Sequence, residues 1–268
     1  PSTTTNLILS CLSPRDIIAF SLSCKQNYEE TLSYNRVAYS IDDLLSPRYF
    51  TIEETQCFRT VQALTGAVIS GSTALQLFSR VRWTESDLDL YVEHYTGYLM
   101  AMFLNNIGYN FQPTERQKID LADAYDQAEI DEIYDDGRGF ASVFNFQRGT
   151  SKIQLVTATH SSIDIILNFH STVVMNVITA YDAFCFYPLA TFEKRISLMT
   201  FSDIGPDRER ARVKYLERGW VLINAGGSIW KPNSLSYYST LDCISLAPFH
   251  LSTPRHVGDH FSWTIRLP

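Results

Sequence analysis

The sequence predicts an α+β fold: a small helical N-terminal module, a mixed-sheet core, and a C-terminal helix with an irregular tail. Three observations lead there. Through residue 65, apolar residues recur at helical spacing between capping signals. From residue 66, short apolar runs and period-two stretches alternate with helical ones. Beyond residue 219, Ser, Pro and Gly interrupt any period. The expected segments are therefore 1–65, 66–200 and 201–268. Of the 268 residues, 45 % are hydrophobic and 13 % aromatic, which is enough for a substantial core and excludes a disordered chain.

Each element has a local cause. Ser13-Pro14-Arg15-Asp16 starts a helix with a serine cap, proline at the first helical position and an acid three residues after the cap. A second helix is expected over Gln26–Tyr39, and a third over Ile52–Leu64, ended by Gly66. Ala67-Val68-Ile69-Ser70 is a short apolar run, followed by Gly71-Ser72 and a helix from Thr73 to about Arg80. Asp87-Leu88-Asp89-Leu90-Tyr91-Val92 alternates as a strand, and Tyr98–Asn106 reads as a helix closed by Gly108. A hairpin pairs Ala141–Gln147 with Lys152–Ala158, and a second pairs Thr172–Thr179 with Ala183–Phe186. A short helix between them runs from Ser161 or Ser162 to Asn168. Asp207–Arg218 is a charged helix ended by Gly219, and Phe261–Leu267 is a terminal strand.

Composition narrows the function classes. With 22 Lys+Arg against 29 Asp+Glu the net charge is −7, which argues against a duplex DNA binder, since phosphate neutralisation needs a basic face. A small nucleotide remains compatible where a metal supplies positive charge. No run approaches the roughly 18 apolar residues of a membrane span. The start lacks the basic n-region and apolar run of a signal peptide. The five scattered cysteines form no C-x-x-C pair, so they read as reduced core thiols of an intracellular protein, cytoplasmic or nuclear. The chain opens on Pro1 rather than Met, so an upstream piece is expected.

The stretch that carries chemistry is Ser70-Gly71-Ser72 followed, after a helix, by Asp87-x-Asp89. A glycine-serine turn between strand and helix presents backbone N–H groups and a hydroxyl to phosphate oxygens at the positive helix end. Aspartates at i and i+2 on a strand face the same way, so both can share divalent ions. Together they form a metal–triphosphate site, and phosphoryl or nucleotidyl transfer needs chiefly positioning, metal charge and an in-line acceptor.

Ile69-Ser70-Gly71-Ser72 with Ser86-Asp87-Leu88-Asp89-Leu90-Tyr91-Val92 resembles the nucleotidyltransferase superfamily typified by DNA polymerase beta, over residues 66–190. The resemblance implies Mg²⁺ held by Asp87 and Asp89 as catalytic ligands, and a nucleoside triphosphate held by Gly71 and Ser72. It also implies a third carboxylate on a neighbouring strand, in a pattern like Lys-Ile-Asp-Leu-Val. This chain has Lys152-Ile153-Gln154-Leu155-Val156 there. Gln154 hydrogen-bonds but carries no charge and accepts no proton. Loss of a general base costs about 10²–10⁴ in rate.

Leu7–Lys25 resembles the second half of an F-box, whose helices dock on a Skp-type adaptor of ubiquitin ligases. With Phe169-His170-Ser171-Thr172 and Lys214-Tyr215-Leu216-Glu217-Arg218-Gly219, the whole is similar to uncharacterised fungal proteins. Two functions follow as expectations. One is Mg²⁺-dependent transfer of a nucleotide to a hydroxyl acceptor. The other is a catalytically degenerate binding module, serving as a substrate-recognition component of a ubiquitin-ligase complex.

Other features read as structural. The acidic residues Asp120, Asp123, Asp126, Glu129, Asp131, Glu132, Asp135 and Asp136 lack calcium-loop spacing and suit a solvated helix face leading into a loop. Arg208, Arg210, Arg212, Lys214 and Arg218 interleave with acids as on a salt-bridged surface helix. Asp164 suits a first helical turn. Arg148 and Lys152 are candidates for phosphate contact. His256 and His260 are split by Gly258, which argues against a helix that would align them on zinc.

Overall fold

The computed structural model describes residues 3–84, 86–131, 140–200, 206–232 and 238–267. They confirm the α+β class. The helices α1 (Thr3–Cys11), α2 (Pro14–Ser21), α3 (Lys25–Ala38), α4 (Ile41–Leu45) and α5 (Ile52–Thr65) come first. Ser13 caps α2 by accepting from the Asp16 N–H, and Thr51 and Glu54 form a reciprocal capping box on α5. Gly66, in left-handed conformation, closes α5. Then follow β1 (Val68–Ser70), α6 (Gly71–Ser79), β2 (Leu88–Glu93), α7 (His94–Asn106), β3 (Asn110–Gln112) and α8 (Leu121–Asp131). The hairpin β4 (Phe140–Arg148) and β5 (Ser151–Ala158) precedes α9 (Ser162–Leu167), β6 (Asn176–Ile178), β7 (Asp182–Cys185) and β8 (Ile196–Leu198). The chain ends with α10 (Pro206–Glu217), β9 (Val221–Ile223), β10 (Ser228–Trp230), β11 (Tyr238–Cys243) and β12 (Trp263–Arg266).

Two compact units share these elements, and each draws on separated stretches of sequence. One comprises Ser40–Leu167, Asn176–Ala183 and Ile265–Pro268. Its mixed sheet has the order β12-β7-β6-β1-β2-β5-β4-β3, antiparallel at β1–β2, β1–β6, β4–β5 and β3–β4, and parallel at β2–β5. Helix α6 packs on β1, β2 and β6, and α7 on β2 and β5. Leu88, Leu90, Ile153 and Leu155 are fully buried, each contributing about 1.5–3 kcal/mol through burial. Because side chains alternate along a strand, burying this set turns Asp89 and Gln154 to the opposite face.

The other unit comprises Pro1–Tyr39, Asn168–Met175 and Phe184–Thr264. Leu9, Ile17 and Tyr34 form the small core of α1–α3. A second sheet, ordered β11-β10-β9-β8, pairs β8 and β9 in parallel, with α10 between them in sequence.

Several local expectations are corrected. Helix α7 begins at His94 rather than Tyr98, and Thr172–Val174 is a 3₁₀ turn, so β6 begins only at Asn176. Four strands follow α10 where one was expected; β9 and β10, of three residues each, are too short to show a period. Only Cys185 of the five free cysteines is buried, and burial pushes its thiol up to about 12. Arg212 is 1 % exposed on α10, its guanidinium 6.0 Å from the centre of the Trp230 ring, so that helix is not wholly a surface one. The Asp120 carboxylate accepts from the Ala122 and Asp123 N–H groups at the start of α8. Glu132, Asp135 and Asp136 lie outside the described residues. Among the described residues no helix is long and apolar enough to cross a membrane.

Candidate functional site

Strand register builds the site. On β1 and β2, Ser70 lies opposite Asp89; on β2 and β5, Asp89 lies beside Gln154. Gln154 lies opposite Asn145, and Asn145 opposite Gln112. Five polar side chains therefore form one row across five strands, on the face away from Leu88 and Ile153. The Gln154 Nε2 donates to the Asn145 Oδ1 at 3.1 Å, which ties the centre of this row together.

The Gly71-Ser72 turn meets the row at Asp89. Gly71 has φ +65°, and a Cβ built on it would lie 2.3 Å from the Asp89 Oδ2. Only glycine tolerates both conditions. The Asp89 carboxylate thus rests against the N-terminal end of α6, where the helix dipole stabilises negative charge. Ser70, at the cap position, does not cap α6 with its side chain; its hydroxyl donates instead to the Asn176 carbonyl at 2.6 Å. Ser72 is buried in the first turn.

Asp87 is exposed just before β2 and is placed by a bracket around the preceding residues. The Tyr49 hydroxyl donates to the Ser86 carbonyl at 2.6 Å, and Arg48 donates to the Trp83 carbonyl at 2.6 Å and to the same Ser86 carbonyl. Gln76 of α6 donates to the Ser86 hydroxyl at 2.9 Å and accepts from the Trp83 N–H at 2.7 Å. The Thr73 hydroxyl donates to the Asp87 carbonyl at 3.1 Å. Burial pushes the Tyr49 phenol above its ordinary range, so it keeps the proton that it donates.

A cleft of about 280 Å³ opens beside Asp87 and is lined by Lys152, Gln154, Asn145, Gln147 and Gln112 among others. Lys152 and Asp87, both expected near the site, therefore meet there. Arg148 does not. Its Nη1 and Nη2 donate to the two Glu54 carboxylate oxygens, each at 2.8 Å, and to the Ile107 and Tyr49 carbonyls, so it is a structural clamp. Asp164 is exposed in the first turn of α9. His256 and His260 flank Asp259, whose carboxylate accepts from Arg255 and from the His256 and Phe261 N–H groups, so this segment folds around an ion pair. Among the described residues, no group of three or more His, Cys, Asp or Glu side chains is placed to hold a metal ion.

The sequence reading missed Asn145, Gln147 and Gln112, although alternation with Phe144, Phe146 and Phe111 signalled their common face. It also missed Arg48 and Tyr49. No local pattern marks a side chain that acts on a carbonyl 38 or 37 positions away.

No protein-family model matches this chain, and no curated protein matches it. A solved structure similar to it is the complex of a CCA-adding enzyme with CTP, at 12 % identity and a TM-score of 0.42. The similarity covers 68 % of this chain and 43 % of that one, so this chain matches less than half the length of that enzyme.

Proposed function

We propose that the unit built on the mixed sheet is a nucleotide-binding module of the nucleotidyltransferase type. It takes a nucleoside triphosphate with one Mg²⁺ between Gly71-Ser72 and Asp87/Asp89, and Gln154 leaves it without transfer activity. The observation that carries this reading is the approach of Gly71 to the Asp89 carboxylate, which puts one of the two proposed metal ligands directly against a helix N-terminus. Ser70 supports it by turning its hydroxyl away from the helix it precedes.

The donor set fits a single Mg²⁺, which is commonly held by one or two carboxylates together with substrate phosphates. Asp87 and Asp89 would hold that ion, and its charge would offset that of the phosphates. A pair of ions about 3.5–4 Å apart needs further anionic ligands. The position beside Asp89 on β5 instead holds the neutral amide of Gln154, bonded to Asn145. With no carboxylate there, an acceptor hydroxyl has no base on that strand.

The test is thermal stability with each nucleoside triphosphate, with and without Mg²⁺, for the native chain and Asp87→Asn/Asp89→Asn. A ligand at 100 times its Kd adds about 2.7 kcal/mol, a rise of a few degrees. The expected result is a Mg²⁺-dependent rise that the double variant loses. No rise with any nucleotide sinks the binding site, and pyrophosphate release by the native chain sinks the degenerate reading.

A second reading concerns the helical segment. Leu7 and Ile8 on α1, with Ile18 and Leu22 at α2, are exposed by 44–78 %, which favours these helices as a docking surface for a Skp-type adaptor. Co-elution of the chain with a purified adaptor, lost on Ile18→Asp, is the expected outcome; absence of co-elution refutes it.

A further inference from the structure

A second concavity, of about 740 Å³, lies in the mixed-sheet unit, and none of its lining residues lines the Asp87 cleft. Its volume falls within the roughly 300–1,000 Å³ of small-molecule sites. Two arginines line it. Arg59 of α5 uses three of its N–H groups on neutral oxygens, donating to the Gln62 Oε1 at 2.6 Å, the Thr179 carbonyl at 2.9 Å and the Ala180 carbonyl. A guanidinium has five such donors. Asp42, on the same wall, is the only acid among the lining residues. Arg266 is paired with Asp182 at 3.2 Å, with its side chain 77 % exposed.

The walls decide the kind of ligand. Leu267, Ala63 and Ala180 are apolar, and the Tyr181 ring is 61 % exposed beside them. Two arginines against Asp42 leave the lining at one net positive charge, and the Asp182 carboxylate adjoins Arg266. With Asp182 on Arg266 and Asp42 acting on Arg59 the four charges cancel, so a triphosphate finds no excess cation here, whereas a single carboxylate can be held through the two guanidinium N–H groups that Arg59 has left. We propose that this concavity binds an organic monocarboxylate with an apolar body, its carboxylate on Arg59 and its hydrocarbon part along Ala63, Leu267 and Tyr181.

The probes are octanoate, octanamide and hexyl phosphate, titrated by calorimetry and by protein NMR on the full chain. Octanoate is expected to bind with one-to-one stoichiometry and at least tenfold more tightly than octanamide, since a charge-assisted hydrogen bond is worth about 10–100-fold. Arg59→Gln should weaken octanoate by about tenfold or more. Because Arg59 also holds the 179–180 turn, Ala63→Trp serves as an independent variant: it fills the concavity from an exposed helical position and should abolish binding while Arg59 stays in place. Equal binding of octanoate and octanamide, or octanoate binding unchanged by Ala63→Trp, overturns the proposal. Preference for hexyl phosphate over octanoate overturns the assignment to a monocarboxylate.

Discussion

Asp89 and Gln154 share one rung of the parallel ladder between β2 and β5, so an acid and an amide lie side by side on the polar face of the sheet. Their surroundings differ. Asp89 rests against Gly71 at the start of α6, and Gln154 is bonded to Asn145 on the next strand. The charge therefore lies on the α6 side of the row, and a neutral hydrogen-bonding group occupies the neighbouring position on β5.

Gln154→Asp should expose this arrangement. Like charges on neighbouring strand positions are destabilising by roughly 0.2–1 kcal/mol, so in EDTA the variant should melt up to about 2 degrees below the native chain. Mg²⁺ without nucleotide should restore it and leave the native chain nearly unmoved. An equal Mg²⁺ response in both proteins would place Gln154 outside the metal's reach. With nucleotide and Mg²⁺ added, the variant is expected to gain pyrophosphate release.

Gly71→Ala should cost far more stability than Gly66→Ala. Both positions have positive φ, an added strain of about 1–2 kcal/mol for an alanine. A Cβ at residue 66 meets nothing within 4 Å, whereas at residue 71 it drives into the Asp89 carboxylate. Overpacking adds about 1–3 kcal/mol. Urea denaturation of the two variants should therefore separate them by at least about 1 kcal/mol. Equal losses would mean that Asp89 yields freely.

The Arg255–Asp259 pair should govern acid stability in the other unit. Their side chains are 8 % and 2 % exposed, with Nε–Oδ2 at 2.5 Å, and Arg255 also lies over the Tyr187 ring at 4.7 Å. Burial alone would raise the Asp259 carboxyl, but hydrogen bonds from Arg255 and Ser262 outweigh it and hold the group well below the usual carboxylate range. A folded-state value below the unfolded one means that its stabilisation is complete above the unfolded carboxylate range and is lost as pH falls through the folded value. Asp259→Asn, which strands a buried guanidinium, should cost about 3–5 kcal/mol at neutral pH and flatten the acid limb of the stability–pH curve. An unchanged limb would assign acid sensitivity to other groups.

Gly71, Asp87 and Asp89 were legible in the sequence because their signal is local: a glycine turn after an apolar run, and acids alternating with Leu88 and Leu90. The caps at Ser13 and Gly66 and the β4–β5 hairpin were legible for the same reason, since each depends on residues a few positions apart. The register beside Asp89 was also foreshadowed by Lys152-Ile153-Gln154-Leu155-Val156.

The sequence by itself thus determined the α+β class, the order of the main helices and strands, and the strand face on which Asp89 lies; Asp87, expected on that same strand face, instead falls just before β2. Tertiary structure alone decided that Arg148 is a clamp on Glu54, that Arg48 and Tyr49 grip the Ser86 carbonyl, and that Arg212 is buried near Trp230. It also decided that residues as distant as 40 and 267 line one concavity. The physical reason is range. Backbone periodicity and capping act over a few residues, whereas the partner of a long charged side chain is set by which strands and helices the burial of the core brings together.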